Sequence, residues 1–266
     1  MSIEIIFVCL FTAVLHFVGT VVYAVRIVGL RTRKFSVAYI FFNFFSILAR
    51  IATSLQAPLL AKYVEKKIIT GQHQSLAVFY IIILFAAFGA FTGGFAIPSF
   101  QRFAGLAVDS FYYRRSVIKV LLRLFGGNLL KHIKNSITKP VSENYTRLFN
   151  WHGVPSRIMF INMIVSAFST ISVLCCLYAG YLHPELRSTT TAFTGFTTGM
   201  ALVLSLLFVD PQIALLSDEV FAGNNTEAQF RRFITVVVFT KFMGTLLSLL
   251  LLVPMAYIIV WLATAI

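Results

Sequence analysis

Six stretches of this chain stay apolar for longer than the ~20 residues that a helix needs to cross the hydrocarbon core of a bilayer. No other feature constrains the fold as strongly. A backbone in lipid must satisfy its own hydrogen bonds, and only helices or closed barrels do so. The alternating pattern of a membrane barrel is missing. The runs therefore predict an all-α polytopic membrane protein with about six transmembrane helices, at Ile3–Val25, Phe35–Leu60, Leu76–Phe100, Ile158–Leu182, Thr189–Val209 and Phe233–Ala263. Charged residues make up 12% of the chain, against ~25% in soluble domains. The opening "MSIEIIFVCL" has no basic n-region and reads as an uncleaved first span. Cys9, Cys175 and Cys176 fall in apolar runs and read as buried thiols.

The basic residues sort by side. Sixteen lie in the first, third and fifth connections, and four (Lys62, Lys66, Lys67 and Arg187) lie in the others. The positive-inside rule places the sixteen in the cytoplasm and both termini outside. The net charge of +13 is then mostly a cytoplasmic surface, and no nucleic-acid partner is needed to explain it.

Within the third connection, "FYYRRSVIKVLLRLF" (Phe111–Phe125) places Arg115, Lys119 and Arg123 on one helical face and its apolar residues largely on others. This predicts a basic amphipathic helix. It lies on the inner leaflet, held by anionic lipid, or packs on the protein's own cytoplasmic face. Gly126-Gly127 ends it.

A faint internal similarity divides the chain. Leu30-Arg31 recurs as Leu186-Arg187, Pro58 and Ala61 as Pro211 and Ala214, and Gly89 and Pro98 as Gly244 and Pro254. Each half has three spans, so the second is inverted relative to the first, as in many transporters. The expected division is a first three-helix half (1–100), a basic amphipathic connection (101–157) and a second three-helix half (158–266). Pro254 is placed to kink the last span.

Arg50 sits near the middle of the second run, where insertion scales put its cost at ~2.5–3.5 kcal/mol. Such a residue faces a cavity or a partner. Asn43, Ser46, Arg50, Thr53 and Ala57 share helical spacing and form one polar-to-small stripe. The first span carries a stripe of Thr12, His16, Gly19 and Tyr23, and the last carries Lys241, Gly244, Thr245 and Ser248. Close helix packing explains the small and hydroxyl residues equally well. Arg50 and Lys241 point further, to an anionic ligand. Asp210, at the end of the fifth span, is the alternative partner for Arg50. His16, Asn43, Gln56 and Asp210 complete the expected polar cavity.

Catalytic and metal-binding patterns are missing. The sequence has no phosphate-binding glycine loop ending in G-K-[ST], no H-E-x-x-H, no metal-ligand cluster and no paired aspartates to hold magnesium against a diphosphate. Neither an enzyme nor a cofactor is expected.

"HFVGTVVYAVRIVGLRTRK" (His16–Lys34), "QAPLLAKYVE" (Gln56–Glu65) and "IPSFQRF" (Ile97–Phe103) resemble the Amj family of bacterial lipid II flippases, an alternative to MurJ. The most specific part is Y-A-x-R-x-x-G-x-R-T-R, here Tyr23, Ala24, Arg26, Gly29, Arg31, Thr32 and Arg33. The resemblance implies a substrate of undecaprenyl diphosphate bearing the disaccharide-pentapeptide, moved from the inner to the outer leaflet of the bacterial cytoplasmic membrane. On that reading Arg26, Arg31 and Arg33 collect the diphosphate at the inner leaflet, and Arg50 and Lys241 hold it inside. Arginine suits the task because its fork bonds two phosphate oxygens. The residues alone leave other readings open: a secondary transporter of a small anion, or a non-transporting scaffold of wall synthesis. A lateral opening between spans favours the flippase.

Overall fold

Each of the six apolar runs is a helix in the computed structural model, which describes residues 3–71, 76–126, 134–138 and 154–266. Much of the basic connection (127–133 and 139–153) lies outside the described residues, as do the side chains of Arg50, Leu121 and Phe125. Among the described residues there is no strand.

The first run forms α1 (Ile3–Val21) and α2 (Tyr23–Arg31), with a one-residue break at Val22. The helix therefore continues two turns beyond the expected end at Val25. It stops where Lys34 N–H donates to Gly29 O and Arg33 N–H to Leu30 O, the paired bonds of a Schellman cap. Arg33 takes the left-handed conformation (φ 54°) that glycine usually fills there. The chain then folds straight back into α3 (Phe35–Ile69). Gly29 permits the turn: a Cβ on it would lie 2.5 Å from the Cβ of Ala38.

α4 (Leu76–Arg114) is 39 residues long, about 58 Å at 1.5 Å per residue, so its last turns extend past a hydrocarbon core of about 30 Å. The expected amphipathic helix at Phe111–Phe125 is broken. Its first residues belong to the end of α4, Arg115 turns with φ 49°, and Ser116 caps a short α5 (Val117–Phe125) that ends at Gly126. A left-handed residue cannot continue a right-handed helix, so Arg115 does not share a face with Lys119 and Arg123.

The second half contains α6 (Ser156–Leu182), a 3-10 turn (Pro184–Leu186), α7 (Arg187–Leu204), a π turn (Ser205–Val209), α8 (Asp210–Phe221) and α9 (Glu227–Ala265). α7, the π turn and α8 run on as one apolar helix well past Val209. The π turn directly precedes Asp210-Pro211; Pro211 has no N–H to give the preceding turn, and the ladder slips there. Thr226 and Gln229 cap α9 reciprocally. α3, α4 and α9 hold Pro58, Pro98 and Pro254 without ending.

Two close packings organise the halves. α1 lies on α4, where a Cβ on Gly89 would fall 2.0 Å from Ala13 O. α6 lies on α9, where a Cβ on Gly244 would fall 2.1 Å from Met163 O. The halves meet along α4 and α9, with the Phe91 and Phe242 rings 5.4 Å apart. Two apolar clusters join them. One, at the end bearing the chain termini, includes Ile5, Phe79, Cys175 and Ile259. The other, at the basic end, includes Ile27, Val209, Phe230 and Ile234. All three cysteines are buried free thiols. α3 and α7 are the most peripheral helices, and Ile47, Ile51, Phe196 and Val203 are exposed on them.

Candidate functional site: a polar layer between two apolar clusters

Between the two clusters the helices present polar side chains to one another. α1 and α2 supply a single face. Thr12, His16, Gly19, Tyr23 and Arg26 recur every three or four residues, and each meets a group from elsewhere or leaves a nitrogen unused. From Thr12 to Arg31 this face rises about 28 Å, close to the depth of the hydrocarbon core.

Nearest the termini, buried Gln56 of α3 donates to Thr12 Oγ1 at 2.5 Å. One turn on, the Nδ1 of His16 is buried with no hydrogen-bond partner. Next, Lys241 of α9 donates through Nζ to Gly19 O at 2.5 Å and sits 5.5 Å from the centre of the Tyr23 ring. A Cβ on Gly19 would lie 3.4 Å from that Nζ. Glycine here leaves room for the ammonium at mid-depth. Behind Lys241, Asn162 of α6 donates to Val237 O at 2.8 Å and Thr240 Oγ1 at 2.7 Å.

Towards the basic end the face becomes ionic. Arg26 is 2% exposed. It donates to Asp210 Oδ1 at 2.6 Å, and its guanidinium lies 3.8 Å from the centre of the Phe42 ring. Its Nε is buried without a partner, so the fork keeps a donor in reserve. Ser205 Oγ donates to the other carboxylate oxygen of Asp210 at 3.3 Å. At the rim, Arg31 donates to Glu227 Oε1 through Nε at 3.2 Å and NH2 at 2.8 Å. Lys34 reaches Asp109 at 2.7 Å, and Arg33 is exposed.

The far end carries a different feature. An open groove of about 440 Å³ runs between α3 and α7, and Glu65 and Arg187 pair across it at 3.1 Å. Three ion pairs therefore bridge the halves among the described residues: Arg26–Asp210 and Arg31–Glu227 at the basic end, and Glu65–Arg187 at the other.

The family model described as "Amj: Alternate to MurJ" matches residues 11–263. The chain belongs to the Amj family. It is 29% identical over 263 residues to the lipid II flippase Amj of Bacillus subtilis (strain 168), which covers 97% of this chain and 96% of that protein. No solved structure matches. With six helical segments long and apolar enough to cross a membrane among the described residues, this Amj-family chain is a multi-pass membrane protein.

The family-like motif gains a physical reading. Tyr23 is the aromatic neighbour of Lys241, Arg26 is the buried ion-pair donor, Gly29 makes the tight turn and Arg33 caps the helix. Arg26 and Arg31 lie on α2, not in a loop, because the cap comes only at Arg33. Lys241, His16, Gln56 and Asp210 all line the same face of α1–α2. Asn43 is half-buried on α3. The side chain of Arg50 lies outside the described residues. Its place on α3 falls between the Phe42–Tyr23 and Gln56–Thr12 contacts, so the antiparallel register sets it level with the turn of His16. Asp210, weighed in the sequence as a partner for Arg50, has Arg26 at 2.6 Å. Sequence reasoning missed Glu65, Arg187 and Glu227 as bridges between halves; their positions at helix ends, opposite in charge, were the available signal.

Proposed function

We propose that this chain flips lipid II, undecaprenyl diphosphate carrying the disaccharide-pentapeptide, from the inner to the outer leaflet of the bacterial cytoplasmic membrane. The observation that carries the reading is Lys241. It holds an ammonium at mid-depth on a polar face that runs the thickness of the bilayer. A half-buried cation there suits a diphosphate, and the unused Nε of Arg26 adds a donor on the same face, beside the unpartnered Nδ1 of His16. Arg50, on the turn of α3 level with His16, is the second cation assigned to the diphosphate from the sequence. Arg31 and Arg33 gather the diphosphate at the basic rim, which the positive-inside rule puts in the cytoplasm, leaving both termini outside. The exposed apolar side chains of the peripheral helices α3 and α7 support a lipid with its tail left in the bilayer.

The two halves, 1–100 and 158–266, rock about the polar layer as inverted repeats. The matched packings at Gly89 and Gly244 support the repeat. Opening either end parts the ion pairs bridging it while the other end stays closed. The chain needs no ATP: a membrane potential positive outside favours outward movement of an anion by ~2.3 kcal/mol per charge per 100 mV. Anionic lipid of the inner leaflet holds α5, where exposed Ile118 and Leu122 lie one turn apart beside exposed Lys119 and Arg123.

The test shuts off the resident lipid II flippase of a bacterium and expresses this chain, with Lys241→Ala and Arg50→Ala variants beside it. The expected result is rescue by the wild-type chain and failure of both variants at equal membrane levels. Rescue by Lys241→Ala at the wild-type rate removes the diphosphate site from the polar layer. Failure of the well-expressed wild-type chain overturns the flippase.

A further inference from the structure

The groove between α3 and α7 stands apart from the polar layer, and its chemistry differs. The α3 wall carries Ala61, Val64 and Glu65, and the α7 wall carries Arg187, Ser188 and Thr191 from the start of that helix. Its 440 Å³ falls in the ~300–1,000 Å³ range of small-molecule sites. Glu65 and Arg187 are 45% and 42% exposed, so both remain reachable while paired. The position of Arg187 is built in. Gly180 on α6 has no Cβ, and one there would lie 2.8 Å from Thr190 Oγ1 and 3.2 Å from Arg187 Cγ. The hydroxyls of Thr190 and Thr191 both donate to Arg187 O, which fixes the first turn of α7.

One charge of each sign gives this groove little net pull on a simple anion or cation. A ligand carrying both charges is different. Its carboxylate accepts the guanidinium fork while its ammonium donates to the Glu65 carboxylate. One ion pair is exchanged for two, and charge-assisted bonds of this kind are the strong ones. The same exchange separates the only described ion pair that bridges the halves at this end.

We propose that the groove binds a zwitterionic, amino-acid-like portion of the transported headgroup, and that its occupation parts Glu65 from Arg187 and opens this end. The identity of the ligand rests on the flipping reading above; the charge logic of the groove does not.

The test titrates the purified full-length chain in nanodiscs with the free tripeptide lysyl-alanyl-alanine, followed by saturation-transfer NMR. Binding is expected to saturate. It is expected to weaken about tenfold or more when the amines are acetylated or the carboxylate amidated, the loss of one charge-assisted bond. Glu65→Gln and Arg187→Gln should weaken it as much, with folding checked by thermal melting. The blocked peptides on the wild-type chain decide the matter even if a variant fails to fold. Equal binding of free and blocked peptides, or no saturable binding at millimolar peptide, overturns the groove site. Lipid II flipping by the same wild-type preparation is measured in parallel. Flipping without peptide binding overturns this inference alone. Peptide binding without flipping keeps the groove and overturns the transport reading.

Discussion

Arg26 and Asp210 are 184 residues apart in the chain and 2.6 Å apart in space. They join the end of the first transmembrane helix to the start of α8, directly after the π turn of the fifth. The guanidinium is enclosed between the carboxylate and the face of Phe42, with its side chain 3% exposed.

Removing one partner leaves a buried charge uncompensated, which typically costs about 3–5 kcal/mol. Asp210→Ala is therefore expected to lower the melting temperature of the purified protein sharply. Arg26→Met combined with Asp210→Leu replaces the pair by apolar groups and should melt higher than Asp210→Ala alone. A double variant no more stable than the single one would show that the pair does not act as a unit.

The two helix-packing glycines make a second prediction. At Gly89 and Gly244 an added Cβ meets backbone, the carbonyls of Ala13 and Met163, which cannot swing aside. Gly89→Ala and Gly244→Ala should each force their helices apart, costing about 1–3 kcal/mol as overpacking. At Gly195 and Gly199 an added Cβ meets nothing within 4 Å, and alanine there should be neutral or slightly stabilising through helix propensity. Thermal melting of the four variants side by side checks the contrast.

For α5, each Lys or Arg near an anionic surface contributes about 1 kcal/mol. Exchange of the amides of Val117–Phe125 with deuterium should slow when neutral nanodiscs are replaced by anionic ones. In Lys119→Gln/Arg123→Gln the slowing should shrink by roughly thirtyfold, the equivalent of about 2 kcal/mol for the two charges. Slowing that is the same in both proteins would mean that α5 packs on the chain's own surface.

The local parts of this fold were legible in the sequence. Hydropathy averaged over twenty residues is insensitive to partners, so the spans starting at Ile3, Phe35 and Leu76 match the observed helices at those ends. Helical spacing put Thr12, His16, Gly19 and Tyr23 on one face, and the structure keeps them there. Gly89 and Gly244, alike in the sequence, are both positions where an added Cβ would meet the backbone of a neighbouring helix, as is Gly93. Helix ends were less legible. Arg33 and Arg115 terminate α2 and α4 in a conformation that glycine would have announced and arginine conceals.

By itself, then, the sequence determined the helical membrane architecture, the asymmetry of charge and the polar faces, because each depends on residues within a few turns of one another. Only the tertiary structure decided what those faces meet. It set Lys241 against Gly19 and Tyr23, gave Asp210 to Arg26 and closed Glu65 on Arg187. Those choices follow from how closely Gly89 and Gly244 let the helices approach and from the slip at Pro211, which aims Asp210. A rotation of one helix by a single residue turns its polar face by about 100°, and no local pattern records which rotation packing selects.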